Sequence, residues 1–157
     1  MKTIDEWLDE YAESHQNPVN KLIHWICVPA IFFSIMGLVQ IIPFPLEGDS
    51  LLHTWLAPVS LFVLLFYLRL SAALTAGMVV FIALCWAGLL ALEASLSVLW
   101  SSVVIFVVAW IFQFIGHSIE GKKPSFFQDV QFLMIGPLWT IAFLYRLAGV
   151  PYSKAAD

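Results

Sequence analysis

The chain has 157 residues, of which 61% are hydrophobic and only 11% are charged. Soluble domains carry about 25% charged residues, so this sequence lacks the polar side chains that would cover a soluble globule of its length. The composition therefore predicts one all-α integral membrane domain, residues 1–157, with about five transmembrane helices and a short N-terminal amphipathic helix. The formal net charge of −4 gives no sign of a nucleic-acid partner.

The N-terminal segment, residues 3–12, is predicted to be the amphipathic helix. Thr3 and Glu6 fit a capping box. Apolar side chains recur at helical spacing from Ile4 to Tyr11, and acidic side chains occupy the other face. Such a helix either lies on the membrane surface or packs against the protein's own helices.

Asn17 followed by Pro18 predicts the start of the first membrane helix. An Asn cap with proline at the first helical position is typical of helix N-termini, and we expect this helix to run to about Ile42. Asn17, Asn20 and His24 recur at three- and four-residue intervals, so they share one face. His24 lies about 9 Å along the helix from Pro18, just inside the hydrocarbon boundary.

Four further apolar runs follow, at about Leu51–Leu70, Ala72–Leu92, Leu96–Ile115 and Phe132–Val150. Each is near the twenty residues that a transmembrane helix needs. The last run contains Gly136, Pro137 and Arg146. It is therefore either a fifth transmembrane helix or a kinked or re-entrant segment whose two ends lie on the same side.

The basic residues predict the orientation of these helices. The N-terminal side of the membrane holds most of them: Lys2, Lys21, Arg69, Lys122 and Lys123. The loops predicted on the other side, residues 43–50 and 93–95, contain no Lys or Arg. Cytoplasmic loops are enriched in these residues, so the N-terminal side is predicted to be cytoplasmic.

The same topology separates the histidines. Three of the four fall on the cytoplasmic side: His15, His24 and His117. His53 lies at the far end of the second membrane helix, about 30 Å away across the hydrocarbon core. Glu120 follows His117 by three residues, so both side chains lie on one face of a helix that Gly121 is expected to end. An imidazole and a carboxylate at this spacing can reach one metal ion, although polar residues also occur wherever a membrane helix ends.

A polar cluster in so apolar a protein needs a reason, because unpaired polar groups are costly there. We therefore predict a metal site. Histidines with a carboxylate and open positions suit non-haem iron, zinc accepts the same ligands, and two histidines on separate helices can also ligate haem. The cluster contains no cysteine, which argues against structural zinc or an iron–sulfur cluster. The sequence has no phosphate-binding loop and no nucleophilic serine motif.

Two motifs resemble the signatures of a known family. They are Ser14–His24, which contains the run His-Gln-Asn-Pro, and Gly116–Glu120, followed by Lys123-Pro124. The family consists of small membrane proteins. It includes the yeast 2-hydroxy fatty acid dioxygenase of phytosphingosine breakdown and many bacterial relatives. The resemblance covers nearly the whole chain and implies an Fe(2+)-dependent alpha-oxidation in the endoplasmic reticulum or a bacterial inner membrane. A 2-hydroxy fatty acid and dioxygen would give the fatty acid shorter by one carbon, with loss of carbon dioxide.

The resemblance also implies roles for individual residues. The implied iron ligands are His15, His24 and His117. Glu120 is either a further ligand or the acceptor of a proton from a ligand imidazole. Asn17 and Asn20 join Glu120 as candidate catalytic residues.

A long-chain acid keeps its tail in the bilayer and its carboxylate at the interface. Basic residues on the cytoplasmic side can meet that carboxylate: Lys21, Lys122 and Lys123, with Arg69 on the same side. For each of them, the alternative is snorkelling to the lipid headgroups. The alternative for the whole chain is a non-enzymatic membrane transporter or assembly protein that uses its polar face for binding or packing. Metal analysis of the purified protein discriminates between these two classes.

Overall fold

A computed structural model describes residues 2–45, 54–123 and 131–153. These residues form six helices and no strand, which confirms the all-α class. The helices are α1 Ile4–Ala12, α2 Pro18–Gln40, α3 Leu56–Leu68, α4 Ala72–Glu93, α5 Val98–Glu120 and α6 Gln131–Leu147. His53 and most of the predicted loop 43–50 lie outside the described residues.

Three of these helices, α2, α4 and α5, are long and apolar enough to cross a membrane. The other two apolar helices are shorter, with 13 residues in α3 and 17 in α6. At 1.5 Å per residue, α3 spans only about 20 Å of a hydrocarbon core that is about 30 Å thick. The described residues therefore support three crossing helices and do not confirm five.

The helix ends follow local sequence chemistry. Thr3 Oγ1 accepts a hydrogen bond from the Glu6 N–H, and the Glu6 carboxylate accepts one from the Thr3 N–H, which completes the predicted capping box. Asn17 caps α2, with Pro18 as its first residue. Gly121 ends α5 with φ 72°, a left-handed conformation that costs glycine no steric penalty.

α2 and α5 form the most closely packed helix pair. A Cβ at Gly37 would overlap the Ser102 hydroxyl, and a Cβ at Gly116 would overlap Oδ1 of Asn20. Small residues let helix backbones approach each other inside membranes. Glycines near both ends of the contact therefore bring α2 and α5 close along most of their length.

α1 packs against α6. Its apolar face is buried: Ile4, Trp7, Leu8 and Tyr11. Trp7 meets the ring of Phe132 edge-on, with ring centroids 5.4 Å apart. Of the two predicted placements, the structure shows packing on the protein's own helices.

The helices α2 and α4 begin, and α3 and α5 end, at one end of the bundle, which we call the histidine end. α6 lies across it. Near the start of α6, the Met134 carbonyl accepts a hydrogen bond at 2.9 Å from the hydroxyl of Tyr67, in the last turn of α3. Near its other end, the Tyr145 hydroxyl donates to the Ala73 carbonyl at 3.0 Å, and Ser71 Oγ donates to the Tyr152 carbonyl at 2.7 Å. Both ends of α6 therefore lie at the histidine end, as in the re-entrant alternative.

α6 is nevertheless one continuous helix, with Pro137 inside it, and not a pair of half-helices. Gly136 serves a close contact. A Cβ there would lie 3.0 Å from the Tyr11 hydroxyl oxygen and 3.3 Å from Cγ1 of Val28. The glycine thus allows α6 to approach both α1 and α2 beside the histidines.

Candidate metal centre

Three imidazoles converge at the histidine end. His15 comes from the linker between α1 and α2, His24 from the second turn of α2, and His117 from the last turn of α5. All three side chains are buried, with at most 4% exposed. One nitrogen of each lies within 4.8 Å of the others, and the Nε2 atoms of His24 and His117 are 3.1 Å apart. The structure thus brings together the three histidines that the sequence placed on one side of the membrane.

The backbone orients two of these rings. Nδ1 of His15 lies 2.6 Å from the Tyr11 carbonyl oxygen, and Nδ1 of His24 lies 2.9 Å from the Asn20 carbonyl oxygen. A carbonyl oxygen only accepts, so each Nδ1 carries the proton and each Nε2 keeps its lone pair for the centre. Burial lowers the pKa of His15 to about 4. Its ring is therefore neutral at neutral pH, which is the form that binds metals.

An unpaired nitrogen tests whether a metal fits. Nε2 of His15 is buried and has no hydrogen-bond partner among the described residues. Leaving a buried polar atom unsatisfied costs about 1–3 kcal/mol, and a metal ion would remove that cost. Two donors bound to one ion at about 2.1 Å lie at most about 4.2 Å apart. The three ring nitrogens lie within 4.8 Å of one another. They need to move together by less than about 1 Å to reach that distance, so the residues fit one ion.

The geometry also bears on the kind of metal group. Axial haem ligands approach a flat macrocycle from opposite faces. Here three imidazoles meet at one point, and the Nε2 atoms of His24 and His117 are already 3.1 Å apart. The arrangement therefore suits a single ion better than haem. An all-imidazole set is compatible with iron, zinc, copper or nickel.

Aromatic rings hold His15 in position. The Tyr11 ring stacks on it, with centroids 4.3 Å apart and planes at 8°, and the Trp139 ring lies 5.4 Å away. Sequence reasoning missed both roles. Tyr11 carried a signal, because it precedes His15 by one helical turn, whereas Trp139 comes from a distant helix and carried none.

Glu120 is not part of the three-histidine group found among the described residues. Its carboxylate accepts hydrogen bonds from the backbone N–H groups of Gln16 at 2.9 Å and Asn17 at 2.8 Å, and from Nδ2 of Asn20 at 3.0 Å. One of the two predicted roles of Glu120 was to accept a proton from a ligand imidazole, and none of these three hydrogen-bond donors is an imidazole. The carboxylate fastens the linker that carries His15 to the end of α5.

The two candidate catalytic asparagines are also used in this scaffold. Asn17 Oδ1 accepts from the Val19 N–H at 2.9 Å as the cap of α2. Asn20 Nδ2 donates to the Ser14 carbonyl at 3.1 Å as well as to Glu120. Both side chains hold the linker and the first turn of α2, and a catalytic role for either stays a prediction.

The three lysines differ in their surroundings. Lys122 is exposed, and its Nζ donates to the Glu13 carbonyl at 2.7 Å, a further tie between α5 and the linker. Lys123 is exposed. Lys21 is half-buried, and its positive charge contributes to the lowered pKa of His15. Lys21 is therefore close enough to affect the charge of His15.

The three histidines line one end of a cavity between α2, α5 and α6. Its volume is about 540 Å³, a figure that includes the space at its open side. Gln113, which is buried, lines it close to the histidines. The remaining walls are mostly apolar: Val28, Ile31, Phe32, Ile35, Trp110, Phe132, Leu133, Gly136 and Pro137.

Residues 1–147 match the family model described as 2-hydroxy-palmitic acid dioxygenase Mpo1-like. The chain belongs to this Mpo1-like family. The Saccharomyces cerevisiae protein named 2-hydroxy-palmitic acid dioxygenase MPO1 is 30% identical over an alignment of 159 positions, gaps included, which covers 92% of this chain and 82% of the yeast protein. No solved structure matches the chain. The family resemblance seen in the two histidine motifs is thus confirmed, and it supports a role related to 2-hydroxy fatty acid dioxygenases.

Proposed function

We propose that this Mpo1-like protein is an iron(II)-dependent membrane dioxygenase that shortens 2-hydroxy fatty acids by one carbon. The observation that carries the proposal is the buried group of His15, His24 and His117 at the polar end of an apolar cavity. The family description and the name of the yeast relative support the substrate class.

The proposed reaction balances without a further reductant. The 2-hydroxy acid and one dioxygen give the acid shorter by one carbon, one carbon dioxide and one water. The bond between C1 and C2 breaks, C1 leaves as carbon dioxide, and C2 becomes the new carboxyl carbon. The substrate loses four electrons, and dioxygen accepts all four.

His15, His24 and His117 would hold the iron through nitrogens that already converge. Bound iron(II) would supply the one-electron chemistry that dioxygen requires, which zinc lacks. Three protein ligands leave coordination positions for small molecules. The burial of the three rings keeps bulk water away from these positions.

The protein's own residues would orient the acid. Its tail would lie along the apolar walls of the cavity, which places the carboxylate and hydroxyl beside the histidines. The ammonium groups near this end of the bundle would attract the carboxylate: Lys21, Lys122 and Lys123. The accumulation of basic residues here also supports a cytoplasmic location for the site in a multi-pass protein of a bacterial inner membrane or the endoplasmic reticulum.

A single turnover assay tests the proposal. Detergent-purified protein is loaded with iron(II) without oxygen and then mixed with air and 2-hydroxyhexadecanoic acid labelled at C1. We expect labelled carbon dioxide and pentadecanoic acid in equal amounts, with one dioxygen consumed for each. Zinc-loaded protein and hexadecanoic acid without the hydroxyl are the controls and should give no product. An iron-loaded protein that consumes no dioxygen and leaves the acid intact would refute the proposal and favour the non-enzymatic alternative.

A further inference from the structure

The wall of the cavity beside the histidines extends along α2. α2 contributes His24, Val28, Ile31 and Ile35 to its wall. These residues are spaced by four, three and four positions, so they form one face of the helix. Eleven residues at 1.5 Å each make about 16 Å. The cavity therefore follows α2 away from the histidine end and towards the middle of the bundle.

The cavity has one open side. In the described part of the chain, α5 and α6 both pack against α2 but share little contact with each other. Trp110 of α5 and Leu133 of α6 line the cavity, and Leu133 is 40% exposed. In a membrane, the surroundings of this side would be lipid tails, so an alkyl chain can pass between α5 and α6 without meeting water.

We propose that this cavity binds the alkyl chain of the acid and that its far end, at Ile31 and Ile35, selects the chain length. This inference rests on the proposed function for the chemistry at the histidines. Three consecutive backbone bonds span 3.8 Å, so an extended chain advances about 1.25 Å per bond. A length of about 16 Å therefore holds about 13 bonds, which corresponds to acids of about 14 to 16 carbons once the carboxyl end is added.

The lining of the cavity supports an alkyl chain as the occupant. Beyond Gln113, the wall residues on α2 and α5 are aliphatic or aromatic, and none carries a charge. A second polar group on the ligand would be left without partners there, and that is costly. Each methylene of a saturated chain gains from burial in such surroundings.

Two tryptophan substitutions test chain-length selection. Ile35→Trp and Ile31→Trp should each block the cavity at a different depth. Since four residues of helix correspond to about 6 Å, Ile31→Trp should shorten the preferred acid by about five more carbons than Ile35→Trp. The preference is measured as kcat/KM over a series of saturated 2-hydroxy acids. We expect a loss of about fourfold for each methylene that no longer fits.

Ile26→Trp is the matched control, because Ile26 lies on the same helix and is 64% exposed. It should keep the wild-type profile of chain lengths. If the profiles of Ile35→Trp and Ile31→Trp also match the wild type, the cavity does not select chain length, and the inference is wrong even though the dioxygenase activity stands.

A cross-linking measurement does not depend on turnover. A 2-hydroxy acid of sixteen carbons with a diazirine at its tail is irradiated with zinc-loaded protein, and the adducts are mapped by mass spectrometry. We expect adducts on residues 31–35 of α2 or around Trp110, and an excess of unlabelled 2-hydroxyhexadecanoic acid should remove them. Adducts confined to outward-facing residues such as Ile26 would overturn the inference. Adducts in the cavity of a protein that turns over no acid would support the chain site and contradict the proposed reaction.

Discussion

At the scale of single residues, the geometry of the three-histidine group depends on the linker that carries His15. His24 and His117 are held by helices, whereas His15 lies between α1 and α2. Its ring is oriented by the Tyr11 carbonyl and covered by the Tyr11 ring. The linker itself is fastened by Glu120 through two backbone N–H groups. Loss of this carboxylate should therefore displace the His15 imidazole, with which Glu120 makes no hydrogen bond.

Glu120→Ala should weaken iron binding by about 10- to 100-fold, the usual cost of removing a group that orients a metal ligand. Glu120→Gln should lose less, because the amide keeps one oxygen that can accept from the linker. Iron dissociation constants measured side by side test this order. Glu13→Gln, an exposed acidic residue of the same linker, should bind iron like the wild type. A complete loss of iron in Glu120→Gln would make Glu120 a ligand. An unchanged iron dissociation constant in Glu120→Ala would show that the hydrogen bonds from Glu120 to the linker do not contribute to iron binding.

Gly116 is the second residue on which the geometry of the site depends. Gly116→Ala would place a Cβ against Oδ1 of Asn20, where α2 and α5 meet beside His24 and His117. Overpacking of this kind costs about 1–3 kcal/mol. We expect a lower midpoint of thermal unfolding and weaker iron binding. Ser118→Ala, an exposed site two residues later, is the control. Equal stability of the two variants would show that the helices separate there at no cost.

At the scale of elements, α1 and α6 form the support for His15. Leu8, on the buried apolar face of α1, is 1% exposed. Leu8→Ala should weaken the packing of α1 against the other helices by about 2–5 kcal/mol. Iron affinity should fall as well, because His15 follows directly after this helix. Hydrogen exchange of residues 4–12 together with iron binding measures both effects. Exposed Asp9→Ala should change neither. Rapid exchange in Leu8→Ala with unchanged iron affinity would show that His15 is held without α1.

The sequence predicted where helices begin and end better than it predicted how they are placed relative to one another and to the membrane. The cap at Thr3, the start at Asn17 and Pro18, and the end at Gly121 depend on local chemistry that a few residues express completely. The path of α6 could not be predicted, because an apolar run of this length fits equally well a helix that crosses the membrane and a helix whose two ends lie on the same side. The same holds for α1, whose apolar face suits a lipid surface or a protein surface.

At the scale of the whole molecule, the arrangement of the helices can be tested by cysteine labelling. Ser95, Lys123 and Ser153 are exposed, and the native Cys27 and Cys85 are buried. In intact cells, a membrane-impermeant reagent should label Ser95→Cys and leave Lys123→Cys and Ser153→Cys unlabelled until the membrane is opened. Labelling of Ser153→Cys together with Ser95→Cys would show that α6 crosses. Labelling of Lys123→Cys alone would reverse the predicted orientation.

The grouping of the three histidines could be predicted from whole-molecule topology, but the contacts that support them could not. Three histidines fall at one membrane depth once the charges orient the helices, and the structure brings these three together. Two of the three hydrogen-bond partners of Glu120 are backbone N–H groups more than one hundred residues away. Every residue except proline has a backbone N–H group, so the amino-acid sequence does not indicate which of them Glu120 contacts.

The central claim is that His15, His24 and His117 share one iron ion. The iron content of anaerobically purified protein tests it most directly, measured for the wild type and for the alanine variants of all four histidines. We expect about one iron per chain in the wild type and in His53→Ala, because His53 belongs to the opposite end of the predicted topology, and almost none in the other three, since a site that loses one of three protein ligands binds too weakly. Full iron content in His15→Ala, His24→Ala and His117→Ala, or an equal loss in His53→Ala, would contradict the claim.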